Sequence, residues 1–269
     1  MQVERLSLYG FKWNNNSCAF DTVTTILLLI PLSLPQGLRE DYFKSFGDLG
    51  KILTKIDTSN KDSLEKRKKF LINHFAEEFA TGLHTSLRLV LDYVLKHEID
   101  GVIRIRHAST STCSTKDCSG LRLFLKSNSK LRYTPYIEHK LNKELMTLQE
   151  VLNDYYDDSV TCRFCEKNLN ITRSKIRNPL VLLIDITNVT INDIDSEISF
   201  NSVSYTIYAV SYYYIDTFHF TAMLKINNKM YYYDGMSDEG KLSEVAQENF
   251  ELTYKNSTLR ANMLWYIKK

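Results

Sequence analysis

The stretch WNNNSCAFDTVTTILLLI, residues 13–30, largely decides how the rest of the chain is interpreted. Three asparagines and a serine precede Cys18, and an apolar, threonine-rich segment then runs to Ile30, just before Pro31. This pattern predicts a helix that begins at Cys18 and ends near Pro31. The first turn of a helix presents free N–H groups that stabilise a thiolate. Cys18 is therefore a candidate nucleophile, and a small buried cysteine behind an Asn/Ser helix cap is the alternative.

Length and composition narrow the class of protein. The 269 residues suffice for one large domain or two modest ones, and 43% apolar and 25% charged residues are typical of a soluble globular chain. A net charge of +2 gives no argument for nucleic acid or a membrane surface. The first residues lack the apolar core of a signal peptide, and the longest apolar run, 26–34, is about half a membrane span. We expect a cytoplasmic or nuclear monomer with no nucleic-acid or membrane partner.

The cysteine spacing indicates a metal site. An odd number of cysteines without a secretory signal favours metal binding or catalysis over disulfides. The five are Cys18, Cys113, Cys118, Cys162 and Cys165. All but Cys18 form two short pairs, which suits tetrahedral zinc in a closed structural site without an open position for water. Two alternatives remain open: four unlinked thiols left from a lost site, or a partial site completed by His107 or His139.

The pattern of elements predicts an α+β fold. The first part is helical, with a predicted cap at Ser63 and a solvated face at Lys66–Lys69. The predicted helices are Cys18–Ile30, Leu38–Phe46, Ser63–Phe79, Leu83–Leu95 and Leu145–Tyr155. A cysteine-bearing insert follows, and the last third is rich in strands. The predicted strands are 102–105, 121–126, 180–186, 202–214, 218–226 and 229–235, with a hairpin turn at Asn227–Asn228.

A histidine and an aspartate meet in that last hairpin. A cysteine nucleophile needs a histidine, and the histidine needs an orienting acceptor. Of the six histidines, His219 differs by starting a strand between two phenylalanines. A turn at Asn227–Asn228 places residue 219 opposite about residue 236, so Asp234 should lie near His219. Two surface polar residues on neighbouring strands are the alternative reading, and Asp216 or Asp238 would then be the other candidate acceptors.

Taken together, the sequence motifs around Cys18, His219 and Asp234 resemble those of the ubiquitin-specific protease family of papain-like cysteine peptidases. Each motif is called a box below. The cysteine box reads GFKWNNNSCAFDTV (10–23), and the histidine and aspartate boxes read HFTAMLKI (219–226) and YYYDGM (231–236). Between them, the segments of the insert follow in the order and at the distances of the family. They are TLQEVLNDYY (147–156), CRFC (162–165) and NPLVLLIDI (178–186). The sequence of the cysteine box indicates a divergent branch of the family, near its SUMO-directed members.

The resemblance implies a fold and a set of site residues. It implies one catalytic domain over 1–269, with a helical thumb (about 1–100), zinc-bearing fingers (about 101–178) and an antiparallel-sheet palm (about 179–269). Cys18 would be the nucleophile, His219 the general base and Asp234 its partner. The family's oxyanion asparagine falls at Trp13 here, so Asn14 is the first candidate and Asn16 the second. The zinc ligands would be Cys113, Cys118, Cys162 and Cys165.

The implied activity is hydrolysis of the isopeptide bond after the C-terminal Gly-Gly of ubiquitin. The implied partners are ubiquitin or a ubiquitin-like modifier and its conjugates. The alternatives are a protease for SUMO or another ubiquitin-like modifier, and an inactive scaffold that binds such proteins. Four acidic residues are candidates to meet the basic tail of a modifier: Asp185, Asp193, Asp195 and Glu197.

Overall fold

The structure is a computed structural model. It describes residues 7–12, 14, 17–74, 85–96, 102–103, 105–113, 115, 118, 130–134, 137–138, 142–154, 165–166, 169–254 and 258–269. Its helices are α1 (Cys18–Leu29), α2 (Gln36–Lys44), α3 (Gly47–Leu53), α4 (Lys61–His74), α5 (Leu87–Lys96) and α6 (Leu148–Asp154). Two short 3-10 helices, Ile30–Ser33 and Asp238–Gly240, complete the set. None of the described helices is long and apolar enough to cross a membrane.

Fourteen strands are described. They are β1 (Ile105–Cys113), β2 (Lys130–Thr134), β3 (Ile137–Glu138), β4 (Asn142–Met146), β5 (Leu169–Arg177), β6 (Val181–Asp185), β7 (Val189–Ile191), β8 (Glu197–Phe200), β9 (Val203–Tyr214), β10 (His219–Ile226), β11 (Lys229–Tyr233), β12 (Ser243–Val245), β13 (Thr253–Tyr254) and β14 (Leu259–Lys268). The helix-then-sheet order predicted from the sequence is confirmed. The strand predicted over 121–126 lies outside the described residues.

The large sheet has the order β12-β11-β10-β9-β14-β6-β3, and its two faces pack against different layers. Side chains alternate between faces, as a strand requires. On β6, Leu183 belongs to the core shared with helices α1 to α5, whereas Leu182 and Ile184 belong to a second core shared with α6. This two-sided burial explains why β6 reads as a continuous apolar run.

Helix α1 is the centre of the helical layer, because every residue from Cys18 to Leu29 is buried. It begins at Cys18 as predicted and turns into the 3-10 segment at Ile30, next to Pro31. The hydroxyl of Thr22 donates a hydrogen bond of 3.2 Å to the carbonyl of Phe220 on β10. The helix is thereby held against the strand that begins with His219.

The hairpin of β10 and β11 has the predicted register. Asn227 and Asn228 both have positive φ, as a two-residue hairpin turn requires. Ala222 pairs with Tyr233 and Ile226 pairs with Lys229. The end of β11 therefore lies beside the start of β10.

Smaller sheets lie apart from the large one. Strands β2, β1 and β5 form a three-stranded sheet, and Cys113 ends β1 opposite Leu169 on β5. Strands β4 and β7 form a parallel pair. The part of the insert that carries Cys113 is thus built on β1, β2 and β5, whereas β3 joins the large sheet and β4 pairs with β7.

Several local predictions were wrong. The strand predicted over 102–105 begins only at Ile105, and the helix predicted from Leu83 begins at Leu87. Helix α4 begins before Ser63, because the Asn60 side chain accepts the backbone N–H of Ser63 (3.3 Å). Leu145 lies in β4, because Thr147 and Glu150 form a capping box that starts α6 after Thr147. Within Lys66–Lys69, Lys68 is buried rather than solvated, with 4% of its side chain exposed, since it forms an ion pair inside the protein.

Candidate active site

Cys18 lies at the junction of α1 and β10. It is buried, and its Sγ lies 3.7 Å from the carbonyl oxygen of Phe218, the residue before β10. The two residues are 200 positions apart in the chain. The packing of α1 on β10 thus brings the cysteine box to the histidine box.

His219 is held between Cys18 and Asp234. Its Nε2 lies 2.8 Å from Oδ1 of Asp234, which directly follows β11. Cys18 also interacts electrostatically with His219 and favours its charged form, and Nδ1 is the ring nitrogen that Asp234 does not use. The structure thus brings together the three residues that the sequence singled out.

The carboxylate of Asp234 is fixed from three sides. Its Oδ1 accepts hydrogen bonds from His219 and from the backbone N–H of Met236 (2.9 Å), and its Oδ2 accepts one from the Ser237 hydroxyl (3.1 Å). Burial alone raises the pKa of Asp234, but the hydrogen bonds from His219 and Met236 outweigh it and lower that pKa. Asp234 is therefore ionised at neutral pH and can orient the ring.

His219 favours its charged form. Burial lowers the pKa of His219, but the hydrogen bonds and negative charges of Asp234 and Cys18 raise it to about 9. A charged imidazole beside a cysteine favours the thiolate form of the sulfur, which is the nucleophile.

The candidate oxyanion donors lie in the segment before α1. Asn14 is exposed, and its backbone N–H donates to Ser17 Oγ (2.9 Å). The second candidate, Asn16, and Trp13 lie outside the described residues. Ser17 precedes α1 but its hydroxyl caps none of the backbone N–H groups of the helix. The first N–H groups of a helix have no partner within the helix, which makes them further candidate donors.

Three of the predicted metal ligands form a cluster. The thiols of Cys113, Cys118 and Cys165 lie within 4.8 Å of one another. The Sγ atoms of Cys113 and Cys165 are 3.4 Å apart, too far for a disulfide and near the separation of about 3.8 Å between thiolates on one tetrahedral zinc. This cluster fits a metal ion. Cys162 and His139 lie outside the described residues, and His107 lies in β1.

Phe218 was missed by the sequence analysis. It has a φ of +53°, which is strained for a bulky residue, and it is 60% exposed. With Phe220 and Tyr213 it lines a cavity of about 310 Å³ next to His219. Phe218 is the last residue of the turn before β10, and nothing in the local sequence pattern signals a positive φ at a phenylalanine.

Two of the four acidic residues expected to face a modifier are engaged within the chain. Asp185 is 2% exposed, forms an ion pair with Arg88 and accepts the backbone N–H of Thr187 (2.9 Å). Glu197 forms an ion pair with Lys269 at the surface. The prediction for Asp185 was wrong, because a buried and paired carboxylate cannot meet a basic tail. Asp193 and Asp195 are exposed.

Comparisons with known proteins give a likeness in structure alone. No protein-family model matches the sequence, and no curated protein matches it at a significant level. The fold is similar to solved structures of the SAGA DUB module that contains Ubp8, Sgf11, Sus1 and Sgf73. The structure bound to monoubiquitin has a TM-score of 0.60 at 11% identity, over 97% of this chain and 69% of that chain. The one bound to ubiquitin aldehyde has a TM-score of 0.56 at 13% identity, over 100% and 71%.

A third structure, of the yeast module with an altered Sgf73, has a TM-score of 0.54 at 14% identity, over 100% of this chain and 70% of that chain. Such low identity establishes the fold and no more. The chain thus has a mixed helical and antiparallel-sheet fold that resembles the structures of the Ubp8-containing SAGA DUB module.

Proposed function

We propose that the protein is a cysteine-dependent isopeptidase that releases ubiquitin from its conjugates. The observation that carries this proposal is the contact of Cys18, His219 and Asp234, three residues from separate segments. A buried thiol, a histidine and a fixed carboxylate in this order are the parts that acyl transfer by a thiolate needs. The similarity to a module that binds ubiquitin supports ubiquitin as the modifier.

The proposed chemistry has two steps. The Cys18 thiolate attacks the carbonyl carbon of the modifier's last glycine, and the charged His219 gives its proton to the lysine amine as the C–N bond breaks. A water molecule, losing a proton to His219, then attacks the thioester carbonyl. This step releases the glycine carboxylate and restores the thiolate. Asp234 keeps the ring turned so that Nδ1 faces Cys18 in both steps.

The negative oxygen that forms on the carbonyl in each step needs donors. We assign this role to the first backbone N–H groups of α1 and to the side chain of Asn14, with Asn16 as the second choice. Donors of this kind contribute about 100-fold to 1,000-fold each to the rate.

The insert is proposed as a zinc-bearing fingers region. Cys113, Cys118 and Cys165 would hold the ion with Cys162 as the fourth ligand, which makes the site structural because four thiolates leave no open position. The division into a thumb, fingers and palm within one papain-like domain belongs to the same proposal. The zinc would stabilise the fold of the insert and would take no part in the hydrolysis.

One experiment tests the proposal. The protein is exposed to ubiquitin, SUMO and other ubiquitin-like modifiers that carry a C-terminal electrophile, and the mass of the product is measured. We expect an adduct with ubiquitin on the peptide that contains Cys18, and none for Cys18→Ala; the other cysteines serve as internal controls. An adduct with SUMO alone would place the chain among SUMO proteases. Binding of ubiquitin without any adduct would indicate a scaffold and overturn the proposal.

A further inference from the structure

Lys68 of α4 is buried against the start of α1. Only 4% of its side chain is exposed, and its Nζ lies 2.8 Å from Oδ1 and 2.9 Å from Oδ2 of Asp21. It also donates to the hydroxyl of Ser17 (3.1 Å) and to the backbone carbonyl of Lys12. The ammonium group of Lys68 thus donates hydrogen bonds to both ends of the segment 12–17, which precedes Cys18.

The ion pair sits where a charge is costly. Asp21 is fully buried in the first turn of α1, one turn after Cys18, and it is the one charged residue of that helix. A buried ion pair is weak evidence for stability, since well-packed apolar residues of similar volume often do as well. A charge pair here therefore calls for another explanation, and its partners, Lys12 and Ser17, lie in the segment of the candidate oxyanion donors.

The hydroxyl of Ser17 shows what the pair does locally. It donates to Oδ2 of Asp21 (2.5 Å) and accepts from Lys68 and from the backbone N–H of Asn14. A serine just before a helix normally caps one of the first N–H groups, but this hydroxyl caps none. The arrangement keeps the hydroxyl of the cap residue engaged with Asp21, Lys68 and Asn14 instead of with the N–H groups at the start of α1.

We propose that Lys68, through Asp21, Ser17 and Lys12, is a positioning residue that holds the segment before Cys18 so that the start of α1 and Asn14 face the reacting carbonyl. This inference rests on the proposed isopeptidase function and adds a specific role to a residue outside the triad. Lys68 does not touch the substrate and acts through the backbone that it anchors.

The contribution of Lys68 is one of geometry rather than of charge. Burial raises the pKa of Asp21 to about 6, and the charge and hydrogen bond of Lys68 offset part of that rise. Without Lys68, Asp21 would take up a proton and become neutral. The net charge of the pair is zero in both cases, so the electrostatic field at Cys18 changes little. The expected loss of activity comes instead from a displacement of the segment 12–17.

The test compares four variants at neutral pH: Lys68→Met, Lys68→Arg, the double variant Lys68→Met/Asp21→Asn, and Lys66→Met. The last removes an exposed lysine from the same helix and is the matched control. Three quantities are measured for each: kcat and KM on a ubiquitin–fluorophore substrate, the rate at which iodoacetamide alkylates Cys18, and hydrogen exchange in the peptide 7–20. Alkylation proceeds without a negative oxygen and so does not need the oxyanion donors.

For Lys68→Met we expect kcat to fall by about 10-fold to 100-fold with KM within twofold, faster exchange in peptide 7–20, and alkylation within threefold of the wild-type rate. The double variant should regain melting temperature without regaining kcat, Lys68→Arg should keep part of kcat, and Lys66→Met should resemble the wild type.

A double variant that regains kcat together with melting temperature would overturn the inference, because the pair would then serve the fold alone. Equal losses of kcat and of the alkylation rate in Lys68→Met would also overturn it, because the substitution would then have lowered the reactivity of the Cys18 thiol itself. If the wild type cleaves no modifier substrate, the proposed function fails, and the catalytic part of this inference fails with it. Unchanged exchange in Lys68→Met would refute the anchoring independently of activity.

Discussion

His219 and Asp234 meet across a hairpin: Nε2 of the histidine, the first residue of β10, lies 2.8 Å from Oδ1 of the aspartate that follows β11. The contact depends on the two-residue turn at Asn227–Asn228, since a shift of the register by one residue would send one side chain to the other face. The position of Asp234 relative to His219 is therefore set by the turn as well as by the ion pair.

Replacing Asp234 tests the role of this contact. We expect Asp234→Ala to lower kcat on a ubiquitin–fluorophore substrate by about 10-fold to 10,000-fold with KM nearly unchanged, because the ring of His219 loses its orienting acceptor. The exposed Asp216, three residues before His219, provides the control: Asp216→Ala should keep full activity. Full activity in Asp234→Ala and a large loss in Asp216→Ala would show that the acceptor is Asp216.

The raised pKa of His219 predicts a pH dependence of stability. The folded-state pKa of about 9 exceeds the ordinary value of 6.5, so the folded state binds the proton more tightly than the unfolded state. The resulting stabilisation is fully present below pH 6.5 and is lost as the pH rises through 9, by an amount on the order of 2 kcal/mol. Urea unfolding of the wild type between pH 6.5 and 9.5 measures it.

His219→Gln is the control for this window, and its stability should change less with pH. The pKa of Asp21, raised to about 6 from 3.8, acts at lower pH and does not overlap with the window. A wild type whose free energy of unfolding stays constant from pH 6.5 to 9.5 would contradict the strong pairing of His219 with Asp234 and Cys18.

Metal content tests the thiol cluster. We expect about one zinc per chain by elemental analysis, and loss of that zinc in Cys113→Ser and in Cys162→Ser. A chelator should lower the melting temperature of the wild type, because the site ties β1 to a distant segment. Cys18→Ala is the control and should keep its zinc. Metal-free protein with an unchanged melting temperature would favour the interpretation of the four thiols as remnants of a lost site.

Gly240 tests how the cysteine box is held against the aspartate box. Its φ is +79°, and a Cβ there would lie 2.8 Å from the carbonyl oxygen of Gly10 and 2.9 Å from that of Phe11. Gly240→Ala should therefore destabilise the protein by about 1–3 kcal/mol, because neither the conformation nor the backbone contact tolerates a side chain. Chemical denaturation measures the change.

Gly37 is the matched control, since a Cβ added to it in α2 meets no atom within 4 Å. Gly37→Ala should stabilise the protein by about 0.5–1 kcal/mol, as alanine is favoured over glycine in a helix. If the free energy of unfolding changed less in Gly240→Ala than in Gly37→Ala, the backbone of residues 8–12 would be able to shift and make room for the added Cβ.

Several elements could be predicted from local sequence patterns. The start of α1 at Cys18, the apolar strand β6 and the turn at Asn227–Asn228 all follow from periodicity and turn chemistry. The same turn set the register that brings Asp234 to His219. These features were predictable because each depends on residues a few positions apart in the chain.

The partners of charged side chains, by contrast, became known only from the packing of the folded chain. Lys68 lies in a run of basic residues that reads as a solvated face, and Asp185 reads as a surface acid, yet both are buried in ion pairs with residues far along the chain. The one local signal was Asp21, an acidic residue within an apolar helix, which requires a buried partner without naming it. Burial of a charge depends on which helix packs against which, and short-range sequence patterns carry no record of that.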